Sequence, residues 1–287
     1  MKFGVIAGFT EHHTPEMMAA TGRVAEERGF HSIWAAEHVL LFEDYAPRYP
    51  YSADGRVPGG TVGLLDPFTA LGWVAAHTSR IRLGTGICLV PQRNPVYTAK
   101  NVADLDYLSG GRVDFGVGIG WLREEFEALG VPFAGRAART CDYIRLMQSL
   151  WCDEAPQYVG EFHTLPECSF GPRPVQQPHP PIIFGGNSEP ALRRVAELGQ
   201  GWYAHNLLPE EAAPGLAALS KLLDERGRAR AEVQRIVSPF FQSVDRAVLE
   251  RYRDLAVDQV LLPLIAADAD ALERRGDELA ALITGIA

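Results

Sequence analysis

The sequence predicts an α/β protein, a (β/α)8 TIM barrel built as one domain over residues 1–287. Short β-branched runs alternate with longer helical patterns from end to end, as repeated βα units with a parallel sheet require. Eight such units are present, enough to close a barrel. With 287 residues and 47% hydrophobic composition the chain can bury one large core, and barrels of about 250 residues ordinarily form one domain.

The strands are expected at 2–8, 32–38, 81–87, 112–119, 181–185, 200–204, 235–240 and 258–264, each followed by a helical segment. The first helix should run from near Thr14 to Arg28: Thr14 can cap it, Pro15 suits the first helical position, and Gly29 stops it. Asp66-Pro67 opens the segment ending near Ser79, Asn94-Pro95 the one ending near Gly110-Gly111, and Ser188 to Pro190 the one ending at Gly199. The rhythm breaks between Val39 and Leu65 and between Cys152 and Pro180, in stretches rich in Pro, Gly and aromatic residues. Long insertions in a compact domain commonly serve function. Both are expected at the C-terminal face, walling the mouth where barrel active sites lie.

Charge and cysteine usage restrict the partners. The formal charge of -9 argues against nucleic acid and membrane, which need clustered Lys and Arg, and leaves a small-molecule substrate. Cys88, Cys141, Cys152 and Cys168 show no C-x-x-C spacing and read as reduced thiols. The apolar run Met1 to Gly8 is too short for a signal peptide, and no run of about 20 apolar residues follows, so a cytoplasmic protein is expected. His12-His13 lacks the strand-borne ligands of barrel metallohydrolases, and adjacent side chains rarely face the same way, so no metal is expected. There is no G-x-S-x-G elbow and no G-x-G-x-x-G opening a first βαβ unit.

The chemistry-bearing residues sit at strand ends. Ser32-Ile33-Trp34-Ala35-Ala36-Glu37-His38 is apolar until its last two residues, where an imidazole able to exchange a proton at neutral pH follows a carboxylate. Glu37 either orients that imidazole or points outward. The glycines of Leu83-Gly84-Thr85-Gly86-Ile87 and Gly116-Val117-Gly118-Ile119-Gly120 leave room for a flat group close to the backbone, or else for tight barrel packing. Gly185-Gly186-Asn187-Ser188-Glu189-Pro190 opens a helix whose free N–H groups can bind phosphate, although a Gly-Gly turn before a helix is also ordinary. Phe9, Phe42, Tyr45, Tyr49, Tyr51, Trp121 and Trp202 are aromatic candidates for the mouth, with Phe9, Phe42, Tyr51 and Trp121 assigned to a substrate pocket.

In order and spacing, Trp34 to His38, Leu83 to Ile87 and Gly116 to Trp121 together resemble the bacterial luciferase-like monooxygenase superfamily over the whole chain. Gly118 to Phe126 and Arg136 to Tyr143 resemble its coenzyme F420-dependent oxidoreductases. The resemblance implies a luciferase-like barrel whose ring-shaped coenzyme rests on a cis Gly86–Ile87 peptide, with Thr85, Gly118 and Ile119 close by. It implies a phosphate held at Gly185, Gly186, Asn187 and Ser188, completed by Gly199, Gly201 and Trp202, and His38 beside the reactive edge of the ring. FMN-dependent members carry an arginine where this chain has Ile119, and sugar-phosphate dehydrogenases a glutamate where it has Trp121. These departures favour coenzyme F420 over FMN, and an apolar or aromatic substrate over a sugar phosphate. The expected reaction is hydride transfer with His38 managing the proton. The alternatives are an FMN-dependent monooxygenase served by a separate cofactor reductase, a non-catalytic flavin or deazaflavin binder, and an unrelated barrel binding a phosphorylated sugar. The resemblance also implies a homodimer.

Overall fold

Eight parallel strands follow one another around a closed barrel in sequence order: β1 (Lys2–Ala7), β2 (Ser32–Ala35), β3 (Arg82–Thr85), β4 (Val113–Gly118), β5 (Ile182–Gly185), β6 (Gly201–His205), β7 (Gln234–Ser238) and β8 (Gln259–Pro263). This computed structural model describes every residue except 47, 53, 59 and 287. The barrel closes where β8 pairs with β1, from Lys2↔Gln259 to Ile6↔Pro263. Because strand side chains alternate, one set fills the barrel and the other meets the helices. Ile6, Trp34, Ile183, Tyr203, Ile236 and Leu261 form the inner cluster, while Val5, Ile33, Leu83, Phe115, Trp202 and Val260 join the larger core under the helices.

Capping residues start the helices where the sequence places them. Thr14 accepts from Met17 N at the head of α1 (Pro15–Glu27), and Asp66 accepts from Thr69 N at the head of α2 (Pro67–Ala76). Asn94 caps α3 (Pro95–Ser109), which stops at Gly110 in the left-handed region with φ 72°. Beyond β4 come a short α4 (Arg123–Ala128) and a longer α5 (Arg136–Cys152), and α6 (Glu189–Leu198) follows β5. Among the described residues no helix is long and apolar enough to cross a membrane.

Three expectations need correction. β2 ends at Ala35 rather than residue 38, so His38 rides on the loop beyond it. The 81–87 run is broken: β3 stops at Thr85, a cis Gly86–Ile87 peptide follows, and Cys88–Leu89 pair separately with β4. The third concerns the insertions: among the described residues, those of 39–65 fold over the C-terminal mouth and those of 152–180 do not. There Asn206 Nδ2 donates to Tyr51 O at 3.0 Å and Val57 N donates to the Tyr45 hydroxyl at 2.8 Å.

Residues 152–180 go to the other end. Gln176 Nε2 donates to Asp106 Oδ1 and to Val113 O, each at 2.7 Å, and its Oε1 accepts from Arg82 at 3.1 Å. Val113 and Arg82 begin their strands, so this contact closes the N-terminal face of the barrel. A small hairpin within the insertion, Tyr158–Val159 against Thr164–Leu165, lies along α5, where the mostly buried Asp142 accepts from the Tyr158 hydroxyl and from Glu161 and Phe162 N. Buried carboxylates need donors, and Asp106 and Asp142 recruit the insertion to supply them.

Candidate active site

A cavity of about 500 Å³ opens over the C-terminal ends of the strands. Ile6, Gly86, Ile87, Gly118, Ile119 and Gly185 line it from the barrel side, and Tyr49, Tyr51 and Trp121 from the loop side. The glycines divide into two sets by what a side chain would strike. A Cβ on Gly84 would lie 2.2 Å from the Trp34 indole, so that glycine makes room for core packing. A Cβ on Gly118 or Gly185 would lie 2.3 or 2.5 Å from Ile87 Cδ1, so those two let Ile87 lie flat and keep the cavity floor open.

His38 lies on this cavity with both ring nitrogens engaged. Nδ1 is 3.0 Å from Glu125 Oε2, and the Trp121 indole N–H donates to Nε2 at 3.3 Å. Since the indole can only donate, Nε2 accepts, and the proton of the neutral ring belongs on Nδ1, facing the carboxylate. Glu125 is fully buried and also accepts from Val39 N at 2.7 Å, Leu40 N at 3.1 Å and Gln92 Nε2 at 2.9 Å. Burial pushes its carboxyl up, but the hydrogen bonds from His38, Gln92 and Leu40 outweigh it and hold the group below the ordinary carboxylate value. Glu125 therefore stays ionised, fixing the imidazole that the Val39–Leu40 backbone presents.

Glu37, the expected companion of His38, has another task. Its carboxylate accepts from Leu89 N at 2.5 Å and from Arg93 Nε at 2.6 Å, and it is buried. It neither orients the imidazole nor points outward. Consecutive residues leave the chain in different directions, so Glu37 turns to the segment after the cis peptide. Glu125 was legible in principle: Leu122, Glu125, Phe126 and Leu129 share a helical stripe whose other members are apolar.

The opposite margin is cationic. Gly186, with φ 112°, Asn187 and Ser188 lead into α6, and the Ser188 side chain makes no capping bond. Arg136 and Arg194 line the cavity here, and Arg194 Nε is buried without a hydrogen-bond partner. No described carboxylate pairs with either. Burial, then the neighbouring Arg123 and Arg194 charges, pull Arg136 below the ordinary arginine value, and burial does the same for Arg194. Arg136 Nε donates to Gly120 O at 3.0 Å, yet a helix N-terminus beside two guanidinium groups that no described carboxylate neutralises is a site for an anion.

The remaining expected residues divide. Tyr51, Trp121, Gly86, Ile87, Gly118, Ile119, Gly185, Gly186, Asn187 and Ser188 line the cavity. Phe9 does not: it is 3% exposed, in the core, with its ring edge against His13. Phe42 lines a separate pocket of about 320 Å³ with Tyr45 and Arg56. Thr85 is buried and donates to Gly116 O at 2.6 Å, bracing β3 against β4. Trp202 faces the helices, and its Nε1 supports the Gly186 turn by donating to its carbonyl at 2.8 Å; Gly201 packs on Ile183. Sequence reasoning missed Tyr203, His205, Phe240 and Arg194, although Tyr203 and His205 share the inward register of β6.

The model of the luciferase-like monooxygenase family matches residues 1–283. An uncharacterized protein of Mycobacterium tuberculosis (strain ATCC 25618 / H37Rv) is 37% identical over 186 residues, 64% of this chain and 66% of that protein. The matched part thus spans just under two thirds of that relative's length. An F420-dependent glucose-6-phosphate dehydrogenase of Kineococcus radiotolerans is 31% identical over 83% of this chain and 66% of its own. An FMNH(2)-dependent dimethylsulfone monooxygenase of Pseudomonas putida is 30% identical over 71% of this chain and 54% of its own. The coenzyme F420 dependent tetrahydromethanopterin reductase of Methanopyrus kandleri shares the fold, with a TM-score of 0.75 at 18% identity over 98% of this chain and 99% of that one.

Proposed function

The chain belongs to the luciferase-like monooxygenase family, and on that premise we propose that it is an oxidoreductase using coenzyme F420 to reduce or dehydrogenate a small apolar or aromatic substrate. The observation that carries this is the union, in one cavity, of the His38–Glu125 pair, a glycine floor and two arginines that no described carboxylate neutralises. A coenzyme with a flat ring and a phosphate fits these features. When bound, such a deazaflavin supplies the hydride-exchanging carbon, which is chemistry no side chain here provides.

The residues then take separate parts. Gly86, Ile87, Gly118 and Gly185 accept the ring, while Gly186 to Ser188, Arg136 and Arg194 hold the phosphate. His38 exchanges a proton at Nε2 once the substrate displaces the Trp121 N–H from it, and Glu125 keeps the ring oriented and offsets the charge it gains. Tyr49, Tyr51 and Trp121 cover the cavity and exclude water.

Ile119 supports coenzyme F420 over FMN, because it puts an apolar group on the cavity where FMN-dependent members of the family have an arginine. Reduced FMN supplied by a separate reductase is the second reading, favoured by the relative named for FMNH(2). Titrating the protein with coenzyme F420 and with FMN decides between them. We expect the deazaflavin to bind at least tenfold more tightly, and preference for FMN would overturn the assignment. We further propose that the chain pairs as a homodimer through α2 and α3, where Trp73, Tyr97, Tyr107 and Leu108 are 43%, 74%, 58% and 80% exposed.

A further inference from the structure

On the far side of the cavity from His38 sits a second imidazole, at the last residue of β6. In an eight-stranded barrel closed in sequence order, β2 and β6 lie across from one another, and His38 and His205 follow or end those strands. A row of rings connects them. His38, Trp121, Tyr49, Tyr51 and His205 succeed one another at centroid separations of 5.8, 5.2, 5.4 and 4.8 Å, each pair edge to face. The row roofs the cavity whose floor is Gly86 and Ile87.

Four aromatic rings stand around His205. Tyr203 lies parallel to it at 5.9 Å, Tyr51 meets it edge-on, and Phe240 and Phe241 lie 5.7 and 6.0 Å away. Its backbone is fixed by a reciprocal pair with Asn187: Asn187 Nδ2 donates to His205 O at 2.7 Å and Asn187 Oδ1 accepts from His205 N at 3.2 Å. The ring nitrogens have no hydrogen-bond partner among the described residues, and the half-buried ring forms part of the cavity wall and is open to what the cavity holds. The titratable groups that face it are Tyr51 and Tyr203, both kept neutral because burial raises their phenols. With no carboxylate against the ring, burial lowers the imidazole to about 4, so it is uncharged at neutral pH.

A neutral imidazole in an aromatic cage offers one N–H donor and one acceptor, and no described residue uses either. Polar atoms that open on a cavity and have no protein partner are free to meet a polar atom of a ligand in place of water. We propose that His205 is a specificity-determining contact that receives one uncharged oxygen, hydroxyl or carbonyl, of a flat substrate lying under the aromatic roof, above the coenzyme ring that the glycine floor accepts. The inference rests on the coenzyme-dependent reading for the identity of the reaction, and narrows the substrate to flat, neutral molecules with a polar atom at the end remote from His38. It also gives Asn187 a second use, linking the anion-binding turn to the substrate end.

Binding, not turnover, tests it. The fluorescent probes 2-naphthol and naphthalene are titrated against the protein with and without saturating coenzyme F420, while the coenzyme affinity is measured in its own titration. A neutral hydrogen bond adds roughly threefold to tenfold in affinity, so 2-naphthol should bind tighter than naphthalene by about that factor. In His205→Phe the two probes should bind equally, with the coenzyme affinity unchanged; in His205→Gln part of the preference should return. The preference should survive in His38→Ala. Equal binding of the probes to the unaltered protein overturns the proposal, as does a preference that persists in His205→Phe or disappears in His38→Ala. Failure of coenzyme F420 to bind would overturn the coenzyme assignment and leave the probe comparison readable.

Discussion

His38 Nδ1 faces Glu125 Oε2 at 3.0 Å across 87 residues of sequence, with the indole of Trp121 on the opposite nitrogen. The carboxylate fixes which nitrogen faces the cavity, so its role is positioning. Replacing Glu125 with Gln should lower turnover about tenfold to a hundredfold, with coenzyme affinity within about threefold. Rescue by the conservative variant separates this role from a structural one. Glu125→Asp, which keeps a carboxylate, should recover part of the turnover that Glu125→Gln loses, at equal thermal stability. Equal losses of turnover in the two variants, tracking equal losses of stability, would assign Glu125 to folding alone.

Removal of the imidazole itself, His38→Ala, should cost more. General acid–base groups contribute roughly a hundredfold to ten-thousandfold, and turnover should fall by that order with coenzyme affinity little changed. Stopped-flow reduction or oxidation of bound coenzyme by substrate measures the step directly. Unchanged turnover would remove His38 from the chemistry.

Gly118 tests the floor. A methyl there would lie 2.3 Å from Ile87 Cδ1, so Gly118→Ala should drive Ile87 into the cavity and weaken coenzyme binding at least about tenfold. Combining it with Ile87→Ala should restore most of the affinity, because the clash is with that side chain. If the double variant binds no better than the single one, Gly118 serves the backbone.

The barrel was readable because its signals are local and repeated: Thr14-Pro15, Asp66-Pro67 and Asn94-Pro95 announce their helices by capping chemistry that the structure uses. The glycine floor and the Gly185 to Ser188 turn were readable for the same reason. What could not be read was pairing across the barrel. Glu37 beside His38 is adjacent in sequence yet bonded to Leu89 and Arg93, while Glu125 reaches His38 through the placement of α4. Phe9, Phe42 and Trp202 lie near the mouth in sequence, but strand register and loop path, which composition does not encode, turn them to other surroundings. Within residues 152–180, Gln176 closes the N-terminal end because Asp106 needs donors there, and the hairpin lies along α5 because Asp142 needs them.

Arg194 tests the anion end. Its buried, unpartnered Nε should be stabilised by a phosphate, so Arg194→Ala should weaken binding of coenzyme F420 about tenfold or more. The phosphate-free chromophore should bind the variant and the unaltered protein alike. Added salt should weaken the whole coenzyme more than the chromophore. Equal losses for both ligands would place the effect in the ring site.

The last prediction concerns acid stability. His205 is lowered from its ordinary 6.5 to about 4 by burial, so the unfolded chain takes up its proton at higher pH than the folded one. Between those values the unfolded state binds more protons, and stability must fall as pH falls. The loss begins near pH 6.5, is complete near pH 4, and amounts to as much as about 3 kcal/mol. Glu125 acts in the same direction lower down: its carboxyl is held below the ordinary value, so the stability it contributes is present above pH 4.5 and lost as pH falls through its folded value. Denaturant titrations at pH 7 and pH 5 should therefore show a drop that His205→Phe reduces and Glu125→Gln does not. A drop of equal size in His205→Phe would mean that the imidazole finds a proton-accepting partner in the folded cavity, which its ring of Tyr51, Tyr203, Phe240 and Phe241 does not provide.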